Sequence, residues 1–190
     1  MTLLIINKPS IFKFNPNHDP KTGQFASGNN EFYLQSDYVQ LSQKDKNIVK
    51  LYAGMPASFN MNEYLRGTFI PSEKIKVDVT KLQKLLDRQS IRTNIVSHRG
   101  MALESDGQTL SNFKKGAVYT DKGFVSTSLD KNHIVSLQNR VAESLKSPAY
   151  VNMEIHIPKG SKALYISSYE REILIQSGSK FRVLSRVDSL

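Results

Sequence analysis

Residues 150–157, Tyr-Val-Asn-Met-Glu-Ile-His-Ile, alternate without a break. Val151, Met153, Ile155 and Ile157 fall on one side of an extended chain, with Asn152, Glu154 and His156 on the other. A period of two marks a strand with one face in a core. The runs "KALYIS", "EREILIQ" and "KFRVLSRV" follow as further strands. The first half has a different period. A helix is expected from about Ser42, with Ile48, Leu51 and Tyr52 on one face, until "GMPASFN" breaks it. A short helix over "MNEYLRG" follows, then a third over "DVTKLQKLLDRQ", with Asp78 as N-cap and Val79, Leu82, Leu85 and Leu86 as its apolar stripe. "TNIVSHRG" reads as a strand, and "AVYTDKGFVSTS" as two short strands around a "DKG" turn. One more helix, capped by Ser128 or Asp130, runs through "NHIVSLQNRVAESLK" with Ile134, Leu137, Val141 and Leu145 inward. Helices first and strands later, with one helix interrupting, predict an α+β fold rather than a βαβ alternation.

A chain of 190 residues has room for one domain with a proper core, or a domain plus a short arm. Residues 1–30 differ in texture from the rest. "FNPNHDPKTGQFASGNN" is dense in Asn, Pro, Gly and Ser and carries no apolar period, so residues 1–30 read as a turn-rich arm or linker. The boundary is expected near Glu31, with residues 31–190 as the folded domain. The arm's "HDPKTGQFAS" is similar to segments of phage and polymorphic-toxin proteins. The absence of cysteine excludes a disulfide framework and a thiolate metal site. His18, His98 and His156 lack metal-ligand spacing, and no metal is expected. The net charge of +9 suits nucleic acid, an anionic membrane surface, or an acidic or phosphorylated ligand. No stretch reaches the roughly 20 apolar residues of a membrane span. "MTLLIIN" lacks a basic start and is too short for a signal-peptide core, so no classical secretion signal is expected.

Three short stretches carry candidate chemistry. "VSHRGM" puts Arg99 at a strand end, where its planar fork of donors matches phosphate or carboxylate, and Gly100 lets the backbone approach a ligand. Alone, the pair reads as a turn with a solvated charge. "GFVSTSLD" ends an apolar strand in three hydroxyls, Ser126, Thr127 and Ser128, able to hold a carboxylate or simply to cap a helix. "SSYEREILIQ" places Glu170 and Glu172 two apart at the start of an expected strand, and so on one face. Paired carboxylates do acid–base or electrostatic work around a cation. The plainer alternative is a solvated strand face with Arg171 offsetting the charge.

In this order, Arg99, Ser126-Thr127-Ser128 and Glu170-x-Glu172 resemble the arginine-specific mono-ADP-ribosyltransferase family of bacterial and phage toxins. The resemblance covers roughly residues 42 to 187. "FNMNEYLRG" resembles that family's Asn-x-x-Leu-Arg segment, here Asn62, Leu65 and Arg66. "GAVYTDKGFVSTS", "MEIHIPKG" and "EREILIQSGSKFRV" resemble its later strands. The resemblance implies two small antiparallel sheets packed around an NAD cleft behind N-terminal helices. It implies an enzyme that cleaves NAD, its co-substrate, and transfers ADP-ribose to an arginine of a target protein. Arg99 would grip the NAD phosphates, with Gly100 beside it. Ser126 would hydrogen-bond Glu172 and fix its rotamer. Glu172 would bind the nicotinamide-ribose 2′-hydroxyl and stabilise the positively charged ribose as nicotinamide departs. Glu170 would orient the incoming guanidinium and take its proton. Thr127, Ser128, Asn62 and Arg66 would support NAD.

Two features depart from the family pattern. Ser167 stands where an aromatic residue often contacts the target, with Tyr165 and Tyr169 nearby as substitutes. No phenylalanine follows Ser126-Thr127-Ser128 until Phe181, which leaves His133 or nothing to stack on nicotinamide. Alternative readings are an NAD glycohydrolase that depletes NAD, ADP-ribosylation of RNA, and a basic nucleic-acid-binding module of a phage particle. Expected partners are NAD and an arginine-bearing target, with an immunity protein and nucleic acid as further possibilities; the expected place of action is a target or host cell's cytoplasm.

Overall fold

A computed structural model describes residues 2–7, 30–102, 113–136 and 150–187. After strand β1 (Thr2–Asn7) come four helices: α1 (Asn30–Val39), α2 (Gln43–Ala53), α3 (Ala57–Arg66) and α4 (Glu73–Arg88). Seven strands follow: β2 (Ile95–Ala102), β3 (Val118–Thr120), β4 (Val125–Ser128), β5 (Tyr150–Ile157), β6 (Ala163–Ser167), β7 (Glu172–Ile175) and β8 (Lys180–Val187). The helix expected after β4 starts at Lys131; of its inward residues, Leu137, Val141 and Leu145 lie outside the described residues. Among the described residues, no helix is long and apolar enough to cross a membrane.

The helices begin and end where local chemistry dictates. Ser42 caps α2 by accepting from the Asp45 amide at 3.1 Å, and Ser72 caps α4 by accepting from the Ile75 amide. Asp78, expected as the cap of α4, lies instead one turn and more inside it. There it is buried, with its carboxylate held by Lys74 at 2.6 Å and Lys81 at 3.3 Å. The Ser-x-x-Ile start, directly after Pro71 at a break, wins because a serine there satisfies an orphan amide at no desolvation cost. α3 starts inside "GMPASFN" and stops at Gly67, whose φ of 85° lets its amide reach back to the Glu63 and Tyr64 carbonyls. Leu51, expected inward, is exposed on α2.

Hydrogen bonding orders the strands β3-β8-β1-β5-β2-β4-β7-β6. The β2–β4 contact is a single register pair, His98↔Ser128, whereas β2 and β5 pair over eight residues. That seam divides the strands into two sheets, β3-β8-β1-β5-β2 and β4-β7-β6. All pairings are antiparallel except β1 with β5. Thr2–Asn7 thus supply a strand between β5 and β8, in a stretch whose sequence reads as an arm without regular structure.

The smaller sheet is covered on both faces. Val125, Tyr165, Ile173 and Ile175 join the core shared with the larger sheet. Phe124, Leu164, Ile166 and Leu174 join a second core under α2, α3 and α4. This is why Ile173, Leu174 and Ile175 are apolar in succession rather than alternating: neither face meets water. Phe124 is 0% exposed and its ring meets Tyr52 edge-on at 5.5 Å. Truncating it by Phe124→Ala is expected to cost about 3–5 kcal/mol, read as a lower urea midpoint; a midpoint unchanged from the parent chain would show that the second core does not depend on this ring.

Candidate active site

The seam between the sheets gathers the polar groups that the sequence singles out. Arg99, on β2, is 16% exposed at its side chain, and its Nη1 donates to the Ser126 carbonyl at 3.2 Å. Ser126 sits on β4, and its register places it opposite Leu174 of β7, with Ser128 opposite Glu172. Alternation therefore puts Ser126, Ser128 and Glu172 on the face toward α2 and α3. The Ser126 hydroxyl lies beside the Glu172 carboxyl and draws its pKa down.

A chain of hydrogen bonds leads toward that carboxylate. The Phe124 amide donates to Asn62 Oδ1 at 2.8 Å, which fixes the amide so that Asn62 Nδ2 donates to the Tyr52 hydroxyl at 3.1 Å. Tyr52 has one proton of its own, and Ser126 Oγ lies 3.3 Å away. Ser126 then has its own proton for Glu172. Each hydroxyl has one donor position, so a chain from Asn62 through Tyr52 to Ser126 that spends each proton once is self-consistent.

Glu172 is 9% exposed. Burial pushes its pKa up to about 7, with the Glu170 charge adding to the rise; the Ser126 hydroxyl and the Arg99 charge pull the other way. Desolvation outweighs both stabilising contacts. Burial also raises the Tyr52 phenol above its ordinary range. A second buried carboxylate, Asp121, is 3% exposed and backs the arginines. Its oxygens accept from Arg66 Nη2 at 3.2 and 3.3 Å, from Arg66 Nε at 3.4 Å and from the Gly123 amide at 2.9 Å, and Arg99 Nη2 lies 3.6 Å off. Gly123 has to be glycine here: a Cβ would fall 2.9 Å from Asn62 Oδ1.

The sequence profile described as ADP-ribosyltransferase exoenzyme matches residues 29–189. The chain belongs to the ADP-ribosyltransferase exoenzyme family. It is 33% identical over 138 residues to Mav of Mycobacterium avium (strain 104), assigned as an NAD(+)–arginine ADP-ribosyltransferase; the match covers 71% of this chain and 15% of that one. The ADP-ribosyltransferase Vis of Vibrio splendidus, solved in complex with agmatine, superposes with a TM-score of 0.64 at 19% identity, over 84% of this chain and 75% of Vis. The ADP-ribosylating toxin BECa of C. perfringens, solved with NADH, gives 0.59 at 18% identity, over 80% of this chain and 41% of BECa. These structural likenesses establish the fold.

Within the exoenzyme fold, several sequence-derived candidates take other positions than expected. Glu170 is not on the strand with Glu172. β7 starts at Glu172, and residues 168–171 form a turn in which Arg171 has φ 47°. The same-face argument therefore fails for this pair, because the left-handed residue between them breaks the alternation. Arg171 does not offset their charge either: its guanidinium binds Glu31 on α1. Thr127 Oγ1 donates to the Ile173 carbonyl at 3.1 Å, and Ser128 Oγ to the Glu170 carbonyl at 2.7 Å, so both hydroxyls expected at NAD are spent on the backbone around Glu172. Gly100 pairs with Asn152 in the β2–β5 ladder, one residue beyond Arg99. Asn62 and Arg66 do come to the site, one through Tyr52 and the other through Asp121. Phe181 is buried in the larger core and is not a candidate to stack on a ligand. Among the described residues, no three His, Asp or Glu side chains gather as metal ligands. The sequence reading missed Asp121 and the hydroxyl of Tyr52; the polar oxygen on an inward helical position was the available signal for the latter.

The raised Glu172 pKa has a stability consequence with a definite sign. The folded chain holds a proton there between its ordinary 4.5 and about 7, where the unfolded chain has released it. That contribution is present below pH 4.5 and is lost as pH rises through 7. Glu172→Gln cannot ionise. The variant should match the parent near pH 4 and exceed it at pH 8 by on the order of 3 kcal/mol, measured by urea unfolding at both values. A stability difference that does not grow with pH would show that Glu172 is not a buried acid.

Proposed function

We propose that this chain is a mono-ADP-ribosyltransferase that cleaves NAD and transfers ADP-ribose to an arginine of a target protein, releasing nicotinamide. The observation that carries the reading is the placement of one buried carboxylate, Glu172, fixed by Ser126 beside Arg99, with a second glutamate on the adjoining turn. The assigned activity of Mav and the agmatine bound to Vis, an arginine-like ligand, support it. The chain spans only 15% of Mav and 41% of BECa, so its acceptor is read from its own site.

In this reading Arg99 binds the diphosphate of NAD. It has five N–H groups and spends Nη1 on Ser126 and Nη2 on Asp121, so donors remain for a second ligand. Asp121 and Glu63 together hold Arg66, while Arg99 meets Asp121 only at 3.6 Å, so Arg99 is the cation left to face a diphosphate. Gly100 next to Arg99 gives the ligand room. Glu172 accepts from the 2′-hydroxyl of the nicotinamide ribose, and as the glycosidic bond breaks its anion faces the growing positive charge. Its burial, costly in the resting protein, strengthens that interaction when it forms. Glu170, on the turn, attracts the acceptor guanidinium and takes the proton it must lose, since a guanidinium is almost never neutral in water. Thr127, Ser128, Asn62 and Tyr52 act through the backbone and hydroxyl chain around these groups. A net charge of +9 favours an acidic target surface and admits nucleic acid as an accessory partner; an immunity protein would act by covering the seam. The place of action is a target or host cytoplasm, where NAD is plentiful.

The two glutamates should fail differently. Glu172→Gln is expected to lower both nicotinamide release and agmatine labelling by about 10²–10³-fold. Glu170→Gln should reduce labelling by on the order of 10²-fold while slow NAD hydrolysis survives, because water is a neutral nucleophile with free lone pairs, whereas a guanidinium is a cation that must lose a proton to attack. Equal losses of both activities in both variants would overturn this division of labour. Nicotinamide release without any labelled acceptor in the parent chain would instead identify an NAD glycohydrolase.

We also propose that residues 31–190 are the catalytic domain and residues 1–30 an arm that lends β1 to it. The family match beginning at residue 29 supports that division. The chain 31–190 should fold and release nicotinamide from NAD, with a lower melting temperature because the β1 ladders to β5 and β8 are gone. A truncated chain that is insoluble or inert toward NAD would make the arm an integral part of the core.

A further inference from the structure

The turn that carries Glu170 also carries a guanidinium of its own. Arg171 lies between the two glutamates in sequence, at a left-handed φ of 47°. A non-glycine residue persists there only where its surroundings hold it. The holding group is Glu31 on α1. Arg171 Nε donates to both Glu31 oxygens at 3.1 Å, and Nη2 donates to Oε2 at 2.6 Å. The Tyr165 hydroxyl donates to the same carboxylate at 3.0 Å. The Arg171 fork keeps the Glu31 carboxyl below its ordinary range. The anchor does not rest on this contact alone, since α1 also buries Leu34 in the larger core and ties Asp37 to Arg92 at 2.5 Å. On the other side, the Leu129 amide holds the Arg171 carbonyl at 3.0 Å and Ser128 the Glu170 carbonyl at 2.7 Å.

An arginine beside Glu170 is chemically the same as the acceptor that Glu170 has to receive. Released from α1, the Arg171 guanidinium would find a carboxylate one residue away and pair with it. The Glu31 carboxylate, reached across 140 positions of sequence, offers a bidentate partner pointing elsewhere. We propose that Glu31 is a positioning residue that keeps Arg171 off Glu170 and so keeps the acceptor carboxylate open for a substrate guanidinium. The inference rests on the reading of Glu170 as the acceptor-side group. It adds an element of α1, outside every motif of the site, as a determinant of acceptor use.

The experiment uses the full chain, NAD and agmatine. Glu31→Gln keeps the shape and removes the charge. The KM for agmatine should rise about tenfold, as expected when roughly 1.4 kcal/mol of competing pairing is introduced. Acceptor-free nicotinamide release should stay within about twofold, because Arg99, Ser126 and Glu172 are untouched. Adding Arg171→Gln removes the competitor and should bring the agmatine KM back toward the parent value, a rescue that a merely destabilised fold would not give. An unchanged KM in the single variant, a parallel fall of both activities, or a double variant no better than the single would each overturn the proposal. A readout independent of turnover is the Arg171 Nε–H resonance, expected to be protected from exchange in the parent and lost in Glu31→Gln. If the parent chain releases no nicotinamide, the functional reading fails, and that resonance still decides whether Glu31 restrains Arg171; an unprotected signal in the parent overturns the restraint itself.

Discussion

Burying the carboxyl of Glu172 is the constraint around which the rest of the site is arranged. An isolated carboxylate taken out of water costs several kcal/mol unless partners replace the lost hydration. β7 lies between two cores, so its first residue enters the protein where β4, β2 and α2 converge. Ser126 supplies a hydroxyl, Arg99 a positive charge, and Tyr52 and Asn62 back the serine from behind. These contacts do not fully offset burial, which is why the acid stays protonated to about pH 7 in the resting protein. A ligand bearing positive charge at this point supplies what the protein withholds. The deficit belongs to the resting state alone, and a group that is under-stabilised at rest and satisfied during reaction is the arrangement that accelerates a step.

The second carboxylate differs because its backbone differs. Glu170 occupies a turn, partly open to solvent, next to Tyr169, which is 91% exposed. Two glutamates on one strand face would share one environment and repel. The left-handed Arg171 rotates the chain between them, so one carboxylate enters the interior and the other stays at the rim. Environments that separate two like groups allow each a different task.

Much of this was legible in the sequence, and the reasons for the remainder are specific. Alternation in 150–157 gave β5, and the stripe Val79, Leu82, Leu85, Leu86 gave α4, because each element has one dry face. Arg99, Ser126 and Glu172 came together as a set only through the resemblance to the ADP-ribosyltransferase family; alone, each had a plain structural alternative. The turn at 168–171 was not, because its left-handed residue is an arginine and no glycine or asparagine marks the position. Asp121 read as part of a "DKG" turn; only the fold shows that its carboxylate sits between two arginines far apart in sequence. Glu31 and Tyr52 have partners 140 and 74 positions away, beyond the reach of any local pattern. α1 and β1 were missed for a related reason: their stability comes from docking on the sheets rather than from a local apolar period.

The seam itself follows from a substitution of one hydrogen bond for another. Antiparallel register carries β2 and β4 together at His98↔Ser128, and continuing it would set Gly100 against Ser126. The ladder stops there. The Ser126 carbonyl accepts from the Arg99 side chain, where continued pairing would give it a strand amide. The carbonyl is satisfied either way, but the side-chain version ends the pairing of the two sheets and leaves a guanidinium at the point where they part. Asp121 then keeps that guanidinium from being an uncompensated buried charge. One arginine thus both terminates the ladder and supplies the charge the opening presents. Lysine would keep the charge but not the planar fork that reaches the Ser126 carbonyl and Asp121 together, so architecture and ligand recognition constrain this position in the same direction.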